Sequence, residues 1–303
     1  MQASVVTEAV RAKPARRLHG WWMPIAFLLP SLVSFALFKY YPLFKLFYMS
    51  FFAYQVASPP GDFVGFHNYA EFLGTDSFML ALRNTFVFAL LFLAMTFWVP
   101  IVQALLLGEI GRGNSTFRFL YQIPSIVPYV VTVLIWKWMY NPDFGLLNYY
   151  LGKLGLGPYL WLNNIHMTKF AIVLPSLVAT QGISILLYYS AIRGIPQDML
   201  EAAKVDGAGP WKRITALLVP NMRFIIFIQF VGFMTGALLI FDPIYVMTQG
   251  GPAESTTTVS LHIYNTAFYQ YRFGVSAAIS VVMFAITGLI TYAQLRLSKS
   301  ADG

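Results

Sequence analysis

The chain has 303 residues, of which 58% are hydrophobic and 11% are Asp, Glu, Lys or Arg, with a formal net charge of +8 and no cysteine. Charged residues make up about 25% of an ordinary soluble domain, so a soluble fold of this size could not hide the apolar excess, and the bilayer is the solvent it fits. Without Cys there is no disulfide, thiolate metal site or Cys nucleophile, and the basic residues are scattered between apolar blocks rather than gathered in the stripe expected of a nucleic-acid surface.

Residues 1–20 form a polar start carrying Arg11, Lys13, Arg16 and Arg17, followed by an apolar run from Trp21 to Phe38. A signal peptide is the competing reading. The run is longer than an h-region of about 7–15 residues and lacks a clear small-x-small cleavage site, so it reads as a first span over 21–40. Further apolar runs cover 82–108, 119–140, 169–192, 223–245 and 274–295. Each approaches or exceeds the roughly 20 residues that cross a hydrocarbon core about 30 Å thick. Backbone groups in lipid must be satisfied internally, so these six runs are expected to be helices. A barrel would show short alternating segments instead. The expected organisation is a segment 1–20, a six-span domain over 21–298 with a loop at 193–222, and a tail at 299–303.

The distribution of Lys and Arg orients the spans. If the first segment is cytoplasmic, then 1–20, 109–118, 193–223 and 296–303 lie inside and hold 13 of the 20 basic residues. That bias predicts both termini inside. The external loops 41–81, 141–168 and 246–273 carry Asp62, Glu71, Asp76, Asp143 and Glu254, and contain turn signals at Pro59-Pro60-Gly61 and Gly250-Gly251-Pro252. Trp136, Trp138 and Tyr140 fit an interfacial aromatic belt.

The segment between the fourth and fifth spans is too long and too patterned for a simple turn. Asp198 with Glu201 three residues later reads as a helix start of the capping-box kind, after Pro196, and Gly207 reads as the stop. By pattern alone, an amphipathic helix lying at the membrane surface accounts for it.

Residues Glu201-Ala202-Ala203, then Gly207 after three residues, then Leu217-x-Val219-Pro220 after nine, resemble the EAA loop of ABC-importer permeases. The family has Ile and Leu where this chain has Leu217 and Val219. The run Glu201-Ala202-Ala203-Lys204-Val205-Asp206-Gly207-Ala208 is similar to the carbohydrate-uptake branch. Other pieces agree in order: Gly65-Phe66-His67-Asn68-Tyr69 and Asn84-Thr85 around the second span, Asn141-Pro142-Asp143-Phe144-Gly145-Leu146-Leu147-Asn148 after the third, and Phe241-Asp242-Pro243-Ile244-Tyr245, Thr248-Gln249-Gly250-Gly251-Pro252 and Ser255-Thr256-Thr257 after the fifth. The resemblance runs from about residue 20 to 298.

It implies an all-α integral membrane protein of six transmembrane helices, with the type I ABC-importer permease fold. It implies ATP-driven import of a sugar in a prokaryotic plasma (inner) membrane. The implied partners are a second homologous permease, two ATP-binding subunits that carry ATP and Mg, and an external solute-binding protein. Asp198, Glu201, Ala202, Ala203, Asp206 and Gly207 would couple the chain to the ATPase.

Absent motifs agree. There is no Gly-x-x-x-x-Gly-Lys-Ser/Thr phosphate loop, nucleophile elbow or His-Glu-x-x-His, and His19, His67, His166 and His262 are too dispersed for a metal cluster. The chain is therefore expected to be no enzyme and to hold no cofactor or metal of its own. The rival reading is an ion-coupled secondary transporter, which places carboxylates within the membrane. Here only Asp242 and Glu109 come near, at span ends. Asp242 stands beside Phe241 and Tyr245. Either it caps a broken helix or bonds at the interface, or the three line the translocation path or its outer gate.

Overall fold

The computed structural model describes residues 22–55, 61–109, 114–179 and 182–301. The expected polar segment 1–20 and the Pro59-Pro60 turn lie outside them. Two compact units meet at Tyr48 and Met49.

The first unit is a single helical run: α1 (Trp22–Phe35), a π-helical turn (Ala36–Tyr40) and the start of α2 (Tyr41–Met49). It exposes apolar side chains such as Phe27, Phe38 and Phe44 along its length. It continues through Lys39, about two turns beyond the expected end of the first span.

The second unit begins with α3 (His67–Leu73), α4 (Asp76–Met95), α5 (Val99–Glu109), α6 (Asn114–Ile126) and α7 (Tyr129–Met139). It continues with α8 (Leu146–Lys153), α9 (Thr168–Val173), α10 (Ser176–Ala179), α11 (Gly182–Arg193), α12 (Gln197–Val205) and α13 (Pro210–Arg213). A π-helical turn (Ile214–Leu218) leads into α14 (Val219–Leu238), and α15 (Asp242–Met247), α16 (Val259–Phe268) and α17 (Phe273–Ala301) complete it. The antiparallel bridge between Phe52 and Phe63 is the strand-like pairing among the described residues.

Among the described residues, four helical stretches are long and apolar enough to cross a membrane: Pro24–Met49, Asp76–Gly108, Pro210–Met247 and Phe273–Leu297. Two bent pairs bring the number to six if each pair is one span: Ser115–Ile126 with Tyr129–Met139, at 84°, and Ile165–Val178 with Gly182–Arg193, at 54°. The apolar run 119–140 is thus two helices rather than one. Pro128 lacks an N–H and disfavours helical geometry at Val127, and it serves as the N-cap of α7.

Packing is organised around two clusters. The first joins Phe78, Phe88, Val133, Ile172, Ile244, Leu261 and Ile279. The second joins Ile101, Ala104, Leu107, Ile185, Tyr188, Leu218 and Met222. Lipid is as apolar as Leu, so helices associate through close contact rather than by escaping solvent. Ala81, Ala104 and Ala278 are fully buried where they allow that approach. At Gly182 an added Cβ would strike the Ser125 side chain, so α6 and α11 touch there through glycine. Four threonine hydroxyls are turned back on their own helix: Thr85, Thr96, Thr235 and Thr287 each donate to the carbonyl four residues earlier.

Candidate functional site

Two neighbourhoods hold the residues singled out from the sequence, and α14 links them. At 1.5 Å per residue its 20 residues span about 30 Å.

At its start lies the α12 segment. The helix begins at Gln197 with Pro196 as N-cap, and no side chain caps it. Asp198 sits in the first turn rather than at the cap, and Glu201 lies beyond reach of it, so the expected capping box is not formed. Proline fixes the entry dihedral at φ −55° and lends no side-chain acceptor. Asp198 still places negative charge at the positive end of the helix dipole.

The helix ends in a Schellman motif: Ala208 N–H donates to Ala203 O at 2.9 Å, and Gly207 N–H donates to Lys204 O at 3.0 Å. Gly207 has φ +72°, a left-handed conformation that costs other residues about 1 kcal/mol or more, yet no atom lies within 4 Å of where its Cβ would stand. Leu200 anchors α12 to the second cluster. The rest of the surface is open. Val205 is 87% exposed and Trp211 76%. Ala202 is exposed and Ala203 half-buried, and the side-chain carboxylates of Asp198, Glu201 and Asp206 form no hydrogen bond or ion pair among the described residues. Behind the segment, Tyr189 is held by Arg193, whose Nε donates to its hydroxyl at 2.8 Å, and by the Arg118 guanidinium 5.2 Å from its ring centre.

At the other end of α14 the chain breaks. Leu239 to Phe241 are non-helical, and α15 starts at Asp242 with Pro243 next to it. The Asp242 carboxylate is exposed and accepts no hydrogen bond from a described residue. It faces a cavity of about 400 Å³ lined also by Thr96, Tyr129, Ser176, Ser184 and Phe241. The Tyr129 hydroxyl and Ser176 Oγ are 2.8 Å apart across its wall. A further cavity of about 230 Å³ shares Ser184 and Phe233 with the first and adds Tyr188 and Gln229, whose Nε2 donates to Ser184 Oγ at 2.9 Å. Lys137 Nζ donates to Val246 O at 2.6 Å and ties α15 to α7.

Phe241 and Asp242 therefore share the cavity, while Tyr245 stacks on Phe241 at 5.2 Å and faces away from it. Tyr129, Ser176, Ser184 and Gln229 were not singled out from the sequence. Neutral polar side chains inside apolar runs carry no mark of their own, although Pro128 beside Tyr129 signals the bend that exposes it. Among the described residues no group of three or more His, Asp or Glu is placed to hold a metal ion.

Residues 101–301 match the family described as binding-protein-dependent transport system inner membrane component. The trehalose/maltose transport system permease protein MalF of Thermococcus litoralis is 30% identical over 273 residues, 90% of this chain and 92% of that protein. The diacetylchitobiose uptake system permease protein NgcF of Streptomyces coelicolor is 31% identical over 295 residues, 92% of this chain and 84% of that one. Among solved structures, a chain of a bacterial alginate ABC transporter, in complex with alginate pentasaccharide-bound periplasmic protein, has the same fold. Its TM-score is 0.84 at 23% identity, covering 92% of this chain and 95% of that one. With its helical membrane architecture, this chain belongs to the family of binding-protein-dependent transport system inner membrane components and is a membrane permease of an importer rather than its ATPase.

Proposed function

We propose that this permease carries a sugar inward, driven by ATP hydrolysis on partner subunits, through a path of which the Asp242 cavity forms this chain's share. The observation that carries the reading is the pairing of two features on one helix. One end of α14 borders a cavity lined by hydroxyls, an aromatic face and an unpaired carboxylate, all groups suited to a polyhydroxylated ligand. The other end joins a short, exposed, well-terminated helix. Relatives named for trehalose and maltose and for diacetylchitobiose support a sugar as cargo.

In this reading α12 docks into a cleft of an ATP-binding subunit that carries ATP and Mg. Ala202 and Ala203 keep the contact close, and Val205 and Trp211 offer apolar area. Asp198, Glu201 and Asp206 offer acceptors to basic groups of the partner. A second permease of similar sequence completes the path, and an external solute-binding protein delivers the sugar. The six spans lie in a prokaryotic plasma membrane with both termini cytoplasmic.

The assembled transporter in proteoliposomes should take up sugar with ATP and its binding protein present, and continue when an uncoupler is added. Uptake that follows an ion gradient without ATP would leave the secondary-transporter reading standing instead. Cysteine placed at Gly155 or Ala253 should react with an impermeant thiol reagent from outside, and cysteine at Ser115 or Ala208 only once the membrane is opened. Labelling of position 208 in intact cells would overturn the orientation. Asp242→Asn should reduce uptake while assembly is kept. Normal uptake would reduce Asp242 to a residue that only begins α15.

A further inference from the structure

Beyond the Asp242 cavity lies a separate one of about 300 Å³ between α15 and α16, lined by Tyr245, Gln249, Leu261, Asn265, Tyr269 and Gln270. Its size falls at the lower end of small-molecule sites, which run from about 300 to 1,000 Å³. Its chemistry is unusually uniform. No charged side chain lines it, so a carboxylate or phosphate would find no cation. Three side-chain amides converge on it, and those of Gln249, Asn265 and Gln270 make no hydrogen bond to described residues. Each amide both donates and accepts, as each sugar hydroxyl does. Two tyrosine rings complete the wall, and the negative face of an aromatic ring suits the C–H-rich face of a pyranose.

The backbone adds a second, independent observation. Gln249 has φ +51° and Tyr271, next to Gln270, has φ +58°. Non-glycine residues in this region are strained, and such strain gathers at binding sites where the surrounding structure enforces it. Here it is enforced by hydrogen bonds. Gln249 N–H donates to Ile244 O at 2.8 Å, Gln270 N–H to Asn265 O at 3.0 Å, and Arg272 N–H to Thr266 O at 3.0 Å. The strained turns bring amides from two separate segments to one cavity.

The two cavities are joined by aromatic rings. Tyr269 lies 6.0 Å from Tyr264, Tyr264 lies 5.1 Å from Tyr245, and Tyr245 stacks at 5.2 Å and 18° on Phe241, which lines the Asp242 cavity.

We propose that this outer cavity is an entry subsite for one neutral sugar ring, held by Gln249, Asn265 and Gln270 against Tyr245 and Tyr269 and passed along Tyr245 and Phe241 to the Asp242 cavity. The proposal rests on the sugar-import reading.

The test uses the complete transporter in proteoliposomes with its binding protein. Neutral di- and trisaccharides and a uronate disaccharide are offered in turn, and a diazirine-bearing form of whichever sugar is transported is then photolysed on the assembly. A neutral sugar should be transported and should label residues of the outer cavity as well as Tyr129 or Phe241. The double variant Gln249→Ala with Asn265→Ala should raise KM about tenfold, the effect of losing a few hydrogen bonds, and far more than it lowers kcat. A merely structural role would lower the yield of assembled transporter or kcat instead.

Labelling confined to the Asp242 cavity, with KM unchanged in the double variant, overturns the entry subsite and leaves sugar import intact. Crosslinking of the outer cavity to the binding protein in place of the sugar makes it a protein contact and also overturns the proposal. Transport of the uronate alone overturns its neutrality. Failure to transport any sugar in the presence of ATP removes the import reading itself.

Discussion

Two connections flank the fifth span, and they are built in opposite ways. The segment before it, α12, has no buried residue and touches the rest of the chain chiefly through Leu200. The segment after it, from Met247 to Thr258, is knitted down. Asn84, 1% exposed, donates to Glu254 O at 3.1 Å and Thr257 O at 3.0 Å, and accepts from Lys169 Nζ at 2.9 Å. Thr85 Oγ1 accepts from Val259 N–H at 3.0 Å, Thr258 Oγ1 donates to Ile240 O at 3.2 Å, and Thr248 and Thr256 share a hydrogen bond of 2.8 Å. A loop that satisfies itself stays where the fold puts it. A helix that satisfies only its own backbone is free to be positioned by something else. The contrast predicts that substitutions before the span act on function with little loss of stability, and substitutions after it do the reverse.

The largest expected effect is on transport. Ala203→Asp or Gly207→Leu should abolish sugar uptake while the chain remains inserted and the binding protein still docks. Neither meets a steric obstacle severe enough to unfold the chain: Ala203 is only half-buried, and the space around Gly207 is open. The local cost of a left-handed leucine is about 1–2 kcal/mol. Uptake, ATPase activity and co-purification of the ATPase should be read in one preparation. Ordinary uptake by both variants would break the comparison at its functional side.

Next in size is Asn84→Leu. It removes three hydrogen bonds, leaving the Glu254 and Thr257 carbonyls without that donor and Lys169 without that acceptor. Buried groups left unsatisfied cost about 1–3 kcal/mol each, so a loss of about 3 kcal/mol is expected. It would show as a clear fall in the melting temperature of the purified transporter. A variant as stable as the parent would mean the segment after the fifth span is held by something other than this hub.

Gly250→Ala should cost somewhat less. Gly250 has φ +97°, and its added Cβ would meet Thr257 Oγ1 and come within 3.3 Å of Leu261 Cδ2. Left-handed strain and overpacking together amount to about 1–3 kcal/mol. Thermal unfolding beside Gly207→Ala, where the same backbone strain meets open space, isolates the steric part, and equal losses in the two would remove it.

The smallest effect concerns His262 on α16. Burial holds its pKa below the ordinary imidazole value, against an opposing pull from Glu254. The folded state therefore favours the neutral ring. Stability from this group is present above the unfolded pKa of about 6.5 and declines as pH falls through it, because the unfolded chain binds the proton more readily. His262→Gln should flatten the stability profile between about pH 7 and pH 5. A steeper decline in the variant would reverse the sign.

The spans were legible because the bilayer demands long apolar runs, and the short helix α12 was legible because its stop needs a glycine with left-handed freedom. Four features were not. The bend at Pro128 is masked by an apolar run that continues across it. The helix α16 lies within a loop in which only turn signals were read, because 10 residues of mixed polarity carry little periodic signal. The start of α12 was misplaced because Asp198 and Glu201 satisfy the spacing of a capping box while Pro196 takes the cap position. The contacts of Asn84 with the loop around Thr257 are also invisible to pattern, since 173 residues separate the partners. Of the three residues named together from the sequence, Phe241 and Asp242 line one cavity and Tyr245 does not, whereas the hydroxyls of Tyr129, Ser176 and Ser184 arrive there from three other helices.

The π-helical turn Ile214–Leu218 sets the rotational phase of everything after it. A π turn holds one residue more than the α turn it replaces, and one residue turns an α-helix by about 100°. The widened turn therefore dials α14 about its own axis so that Gln229 points at Ser184. Removing one residue from the turn would leave the composition of the span almost unchanged and its length sufficient, yet swing Gln229 and Phe233 about a quarter-turn off the cavity wall. A single-residue deletion at Ala216 is in this sense a clock setting. It would move the hand without touching either end of α14, so transport should respond even where every named contact residue is still present.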